Sequence, residues 1–257
     1  MCRKSRRLKL SLLLLAILAE TTVLGAGGMP AEALGTVCYD VRYKLGGLAT
    51  KVATATIGWE KSSWNGIPAF HSKAVVKPTP VFRLFISSDY LADTYFSQKS
   101  VAPLYFVNPF KHNGQDGRFE YVFEEGKKII ESTTVLGDQA PQCKEFPLDG
   151  RTMDLLSLLH FVRFLDLKDG KAPLGLHILM AGKSYAAQLS GLGSDPDKFP
   201  GQPAEHLLLR MTERGLMENG SGNEIHIWRA ATADRRILGL EVDLSSGRMV
   251  CTVRESE

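Results

Sequence analysis

The sequence predicts a mainly β fold: a curved antiparallel sheet or partly open β-barrel around one buried helix at about residues 152–167. Three observations carry that expectation. Short runs rich in Val, Ile, Thr, Tyr and Phe recur along the chain, separated by turns containing Gly, Asn or Pro. Only residues 152–167 repeat apolar side chains convincingly at helical spacing. No internal repeat or linker divides the chain, so residues 27–257 are expected to form a single β-rich domain.

Taken in order, Thr36–Leu45 is β-branched and aromatic up to the turn pair Gly46-Gly47. Leu48–Trp64 and Ile67–Lys77 flank Asn65-Gly66, and an Asn-Gly pair between strand-like runs signals a hairpin because both central residues accept positive φ. A three-stranded meander over residues 36–77 is the simplest account, ending before Pro78 and Pro80. Residues 81–86 suit either a strand or the start of a helix, which periodicity does not separate. Tyr90–Gln98 and Leu104–Asn108 read as strands broken by Pro103 and Pro109. In Arg118–Glu124 the residues Phe119, Tyr121 and Phe123 share one face, and Glu125-Gly126-Lys127 turns the chain into Lys128–Leu136. A loop with Pro141, Cys143 and Pro147 is expected next.

In the helical segment, Leu155, Leu156, Leu158, Leu159, Phe161, Val162, Phe164 and Leu165 occupy most of the circumference. A helix apolar nearly all round is buried against or inside a sheet. Asp149 or Thr152 is the expected N-terminal cap, with Gly170 just past the end. His160, Arg163 and Asp166 speak against a membrane span. Leu174–Met180 and Ser184–Leu189 then pair across Ala181-Gly182-Lys183, and a loop covers about Gly191–Pro203. Glu205–Thr212, Glu224–Arg229, Ile237–Asp243 and Arg248–Arg254 complete the strands.

Residues 1–26 have the layout of an export signal. Five basic residues lie at positions 3, 4, 6, 7 and 9, an apolar run follows from Leu10 to Ala19, and Gly25-Ala26-Gly27-Gly28 supplies small residues for cleavage after Ala26. The apolar run is ten residues, against the roughly 20 needed to span a bilayer as a helix. No cysteine follows it to suggest a lipid anchor. A periplasmic or secreted protein is therefore expected. The chain has 31 Lys+Arg and 28 Asp+Glu; setting aside the five bases and Glu20 of the signal leaves 26 against 27. The basic balance thus belongs to the leader, and with no basic stripe carrying interleaved aromatics, no nucleic-acid partner is expected.

Cys38, Cys143 and Cys251 remain after cleavage. Cys38 and Cys251 lie in the first and last expected strands, which makes them the natural pair in an oxidising compartment if those strands are neighbours. The other reading is three buried free thiols. No two of the six histidines (His71, His112, His160, His177, His206 and His226) lie within five residues of each other, and there is no Cys-x-x-Cys. Asn219-Gly220-Ser221-Gly222 is no nucleophile elbow. Lys144 beside Cys143 could lower that thiol's pKa, with no histidine near in sequence. No catalytic, cofactor-binding or metal-ligating residue is assigned, and no cofactor is expected. The aromatics concentrated between Phe82 and Phe123 suit an ordinary sheet core or a hydrophobic ligand surface.

Met153-Asp154-Leu155-Leu156-Ser157, then Val162-Arg163-Phe164 and Leu167-Lys168-Asp169-Gly170, resemble a segment of a bacterial exported family, domain-of-unknown-function family 3108. Ile227-Trp228, Asp234-Arg235-Arg236 and Ile237–Val242 resemble a late segment of the same family, and Tyr39-x-Val41-x-Tyr43 before Gly46-Gly47 fits its start. The stretch Arg229-Ala230-Ala231-Thr232-Ala233 departs from the shorter, more polar link that the family shows. The resemblance spans most of residues 36–254. It implies a β-rich envelope protein and supplies no reaction.

Export, strand-rich architecture, an apolar helix and absent catalytic motifs lead to the expectation of a non-enzymatic protein binding an apolar, lipid-like or envelope-derived ligand, with transient membrane contact. A second reading is an enzyme acting on envelope polymers through separated residues such as His71, Asp154 and His226. A third is a structural partner in an envelope assembly. Whether the sheet encloses a cavity, and whether its lining is apolar or charged, separates the three.

Overall fold

The computed structural model describes residues 35–84, 89–112, 114–148, 151–167, 172–212 and 223–254. Eight strands run in sequence from the N-terminus: β1 Gly35–Leu45, β2 Leu48–Trp64, β3 Ile67–Pro78, β4 Tyr90–Ser97, β5 Pro103–His112, β6 Gln115–Glu124, β7 Ile129–Leu136 and β8 Gln142–Pro147. A three-residue strand, β9 Thr152–Asp154, leads into the helix α1, Leu155–Phe164. Six more follow: β10 Leu174–Met180, β11 Lys183–Ser194, β12 Ala204–Met211, β13 Glu224–Ala230, β14 Ile237–Leu244 and β15 Gly247–Val253.

All fifteen belong to one open sheet, ordered β8 through β1, then β15 down to β9. Two meanders are joined where the first strand pairs with the last, with Tyr39 opposite Val253 and Lys44 opposite Arg248. The mainly β, barrel-like architecture with one helix is therefore as the sequence predicts. The sheet stays open between β8 and β9, and curls until the β10–β11 turn meets β6, where the Gly182 N–H donates to Tyr121 Oη at 2.8 Å. All pairings are antiparallel except β9 with β10. A parallel pair needs a crossover connection, and α1 supplies it.

The Asn65-Gly66 hairpin forms as expected, with positive φ at both residues (48° and 81°). Side chains then alternate across the sheet. Phe70, Phe96, Phe106 and Tyr121 point into the concave side with α1, whereas Tyr95 and Tyr105 lie on the other. The aromatic-rich stretch is thus split between the two faces. Two apolar clusters fill the concave side, one spanning β1–β7 and one spanning β10–β14, with α1 contributing to both.

Several expectations are corrected. Residues 152–154 are strand, because Thr152, Met153 and Asp154 align with His177, Ile178 and Leu179, and the helix starts only at Leu155. Its cap is Asp154, not Thr152; Asp149 and Gly170 lie outside the described residues. The proline-containing segment expected as a loop forms the edge strand β8, with Pro147 at its last position, where a missing N–H is tolerated. The Gly191–Pro203 loop begins later, because β11 runs on to Ser194. Finally, β1 and β15 are neighbours, yet Cys38 and Cys251 do not pair. Cys251 aligns with Val41, and the Arg254 N–H reaches the Cys38 carbonyl, so alternation sends the two thiols to opposite faces. Cys38 and Cys143 are exposed, which also overturns the reading of three buried thiols.

Among the described residues no helix is long and apolar enough to cross a membrane. Residues 1–26, where the sequence leads to the expectation of an export signal, lie outside them.

Candidate ligand site

The helix is tied to the sheet at both ends. At its start, Asp154 Oδ1 accepts the N–H groups of Leu156 and Ser157 at 2.9 and 3.0 Å, satisfying two of the donors that every helix N-terminus leaves open. Its Oδ2 accepts the hydroxyls of Ser157 and Thr94, at 2.5 and 2.9 Å. Thr94 stands on β4, so one buried carboxylate joins the helix to the opposite arm of the sheet. Burial pushes this carboxyl above the ordinary aspartate range against the pull of those donors.

At the other end, the fully buried Arg229 of β13 donates through Nη1 to the carbonyls of Val162 and Leu165. Its Nε and Nη2 hold Glu205 of β12 at 2.7 and 2.6 Å. A cation at the carbonyl end of a helix complements both the open acceptors and the dipole. Arg163, also buried, donates to the Asp234 carbonyl at 2.8 Å and lies 4.9 Å from the Trp59 ring centre.

Between α1 and β12–β15 the packing leaves a cavity of about 110 Å³. Leu155, Leu158 and Leu159 form the helix side, and Leu209, Ile225, Ile227, Leu240, Val242, Met249 and Cys251 the sheet side. Every lining side chain is apolar or a thiol. Leu158, Leu159, Leu209, Ile225 and Ile227 are buried, whereas Leu155, Leu240, Val242, Met249 and Cys251 are partly exposed and form its accessible side. Burial raises the Cys251 thiol to about 11, leaving it protonated near neutral pH.

Against β2–β4, His160 sits fully buried among Trp59, Phe70, Phe96 and Phe164, with ring centres 4.2 to 6.3 Å away. Neither ring nitrogen has a hydrogen-bond partner, and the neighbouring Ser72 hydroxyl and Trp59 Nε1 are also unsatisfied. Burial and the adjacent Arg163 charge hold the imidazole well below its ordinary pKa, so it is neutral.

His71, Asp154 and His226 are not brought together. Asp154 is inside the sheet, and the two histidines stand on its outer face. His71 lies between Glu60 and Asp93, at 3.0 and 2.9 Å, and stacks on Tyr95. His226 Nδ1 is 2.9 Å from His206 Nε2, beside Trp228. Among the described residues no group of three or more His, Cys, Asp or Glu is arranged to hold a metal. Cys143 lies on the exposed edge strand with no histidine against its sulfur, whose one polar neighbour is Thr133 Oγ1 at 4.0 Å. The residues that hold the helix, Thr94 and Arg229, carry no sequence signal, because their partners lie more than 59 positions away.

A family model described as "Protein of unknown function (DUF3108)" matches residues 38–252. No curated protein matches the chain. Among solved structures, the crystal structure of a beta-barrel-like protein of domain of unknown function DUF1849 from Brucella abortus is similar in fold, with a TM-score of 0.51 at 10% identity. The match covers 86% of this chain and 95% of that one.

Proposed function

The chain belongs to the DUF3108 family, and from that premise we propose that it is an exported envelope protein that binds an apolar, lipid-like ligand without transforming it. The observation that carries this reading is the cavity between α1 and β12–β15, lined by ten side chains none of which bears a charge. Apolar cavities of this kind stay dry and accept apolar guests. At about 110 Å³ it is smaller than the roughly 300 Å³ of ordinary ligand pockets. It therefore receives the end of an acyl chain or one ring, and larger guests displace side chains on its accessible side, where Met249 is the most adaptable. The clamps at Asp154 and Arg229 keep α1 in place while those side chains yield.

The test is lipid extraction and mass spectrometry of protein purified from the envelope, with uptake of a fluorescent fatty-acid probe. We expect a co-purifying lipid, and probe binding abolished by Ile227→Trp, which fills the cavity. Clean protein with no probe uptake overturns the reading. Export is tested separately, by fusing residues 1–40 to a reporter active only outside the cytoplasm.

A further inference from the structure

A second site lies on the outer face of the sheet. The loop between β11 and β12 folds back over β13–β15 and is well anchored. Trp228 Nε1 donates to Asp195 at 2.9 Å, Arg236 reaches Gln202 at 3.0 Å, and Lys198 pairs with the buried Glu241 at 2.6 Å. The Phe199 ring lies on Gly239, where a Cβ would come within 2.8 Å of it. Together the loop and strands enclose a hollow of about 450 Å³, within the range of small-molecule sites. Its walls are Trp228, Phe199 and Val250, its cations are Lys44 and Lys198, and the Glu241 carboxylate paired with Lys198 and Arg248 also lines it.

The register around this hollow sets like charges against each other. Lys44 is directly opposite Arg248, and Arg42 is directly opposite Lys51. Such pairs destabilise a sheet unless an anion lies between them. The carboxylates of these strands are shared. Asp40 is shared among Arg42, Lys51 and Arg254. Glu241 is shared between Lys198 and Arg248, and Asp243 also serves Arg248. Among the described residues Lys44, although it stands against Arg248, lies within 4 Å of no carboxylate. Of the loop's charged residues only Lys198 lines the hollow.

We infer that this hollow binds an organic anion, a phosphate or carboxylate head on an apolar body, with the head at Lys44 and Lys198 and the body against Phe199, Trp228 and Val250. It is independent of the interior cavity, from which the sheet itself separates it.

Calorimetric titration of the full chain with hexyl phosphate tests this, beside hexyltrimethylammonium and vesicles of phosphatidylglycerol or phosphatidylcholine. We expect saturable hexyl phosphate binding that weakens about tenfold or more in Lys44→Glu, as loss of a charge-assisted contact and gain of a repulsion require. Thr252→Trp, which narrows the hollow without changing charge, should also weaken it, whereas Ile227→Trp should not. Binding of phosphatidylglycerol vesicles competed by hexyl phosphate identifies a membrane lipid as the source. Binding of hexyl phosphate alone identifies a free organic anion, and both outcomes support the site. No hexyl phosphate heat, equal binding of hexyltrimethylammonium, or affinity unchanged in Lys44→Glu overturns it.

Discussion

Thr94 Oγ1 donates to Asp154 Oδ2 at 2.9 Å across the interior of the sheet, joining residues 60 positions apart in a fully buried contact. The bond connects the cap of α1 to the arm of the sheet opposite the strand that carries it. Its energetic weight follows from burial: an unpartnered polar group here has no water to turn to.

Asp154→Ala removes the helix cap and the buried acceptor of the Ser157 and Thr94 hydroxyls, so a loss of about 2–4 kcal/mol is expected. Thr94→Val should cost about 1–2 kcal/mol. Urea denaturation of both single variants and the double variant should show strong coupling. Simple additivity would mean that the contact contributes nothing.

Arg229→Met leaves two helix-end carbonyls without their donor and Glu205 without its partner. A loss of about 3–5 kcal/mol is expected, as for other broken buried pairs. Glu205→Gln should cost much less, because that side chain is 38% exposed and keeps an acceptor for the guanidinium. Equal destabilisation by the two would show that the ion pair, and not the helix-end contact, is what matters.

His160 makes stability depend on pH in a definite direction. Its folded pKa is depressed below the ordinary 6.5, so the unfolded chain takes up a proton first as pH falls. Stability is therefore full above about pH 6.5 and declines below it, by up to about 1.4 kcal/mol per pH unit. His160→Leu should flatten this decline between pH 6.5 and 5. The raised Asp154 carboxyl acts with the opposite sign above 3.8, so the difference between variant and parent isolates the histidine. An unchanged slope in the variant refutes the assignment.

The thiols of Cys38, Cys143 and Cys251 should separate by reactivity. Cys38 and Cys143 are exposed, and Cys251 is half-buried against the cavity with its pKa raised to about 11. Ellman's reagent at pH 8 should label Cys38 and Cys143 rapidly and Cys251 much more slowly. A bound fatty-acid probe should slow Cys251 further. Mass spectrometry without reductant should find no Cys38–Cys251 bridge.

Much of the strand order was legible because alternation and turn chemistry are local. Asn65-Gly66 and the two-faced run Phe119–Phe123 specify hairpins with little help from the rest of the chain. The helix was legible as buried, since Leu158, Phe161, Val162 and Leu165 leave it almost no polar side. Its first turn was misread because Thr152 and Met153 suit a helix as well as a strand, and pairing with β10 decided between them. The site was hardly legible at all. Arg229 reads as the last charge of a strand, and only packing places its guanidinium at carbonyls 64 and 67 residues earlier.

By itself, then, the sequence determined most of the strands and their turns, though not β8 or β9, and that one apolar helix must be covered. Those properties rest on backbone propensity and on side-chain period, both read within a few residues. Only the tertiary structure decided that β1 lies beside β15, that Cys38 and Cys251 face opposite sides, and that Lys44 stands against Arg248. Register between strands distant in sequence is set by how the whole sheet closes around α1, and a shift of one residue would reverse every one of those faces.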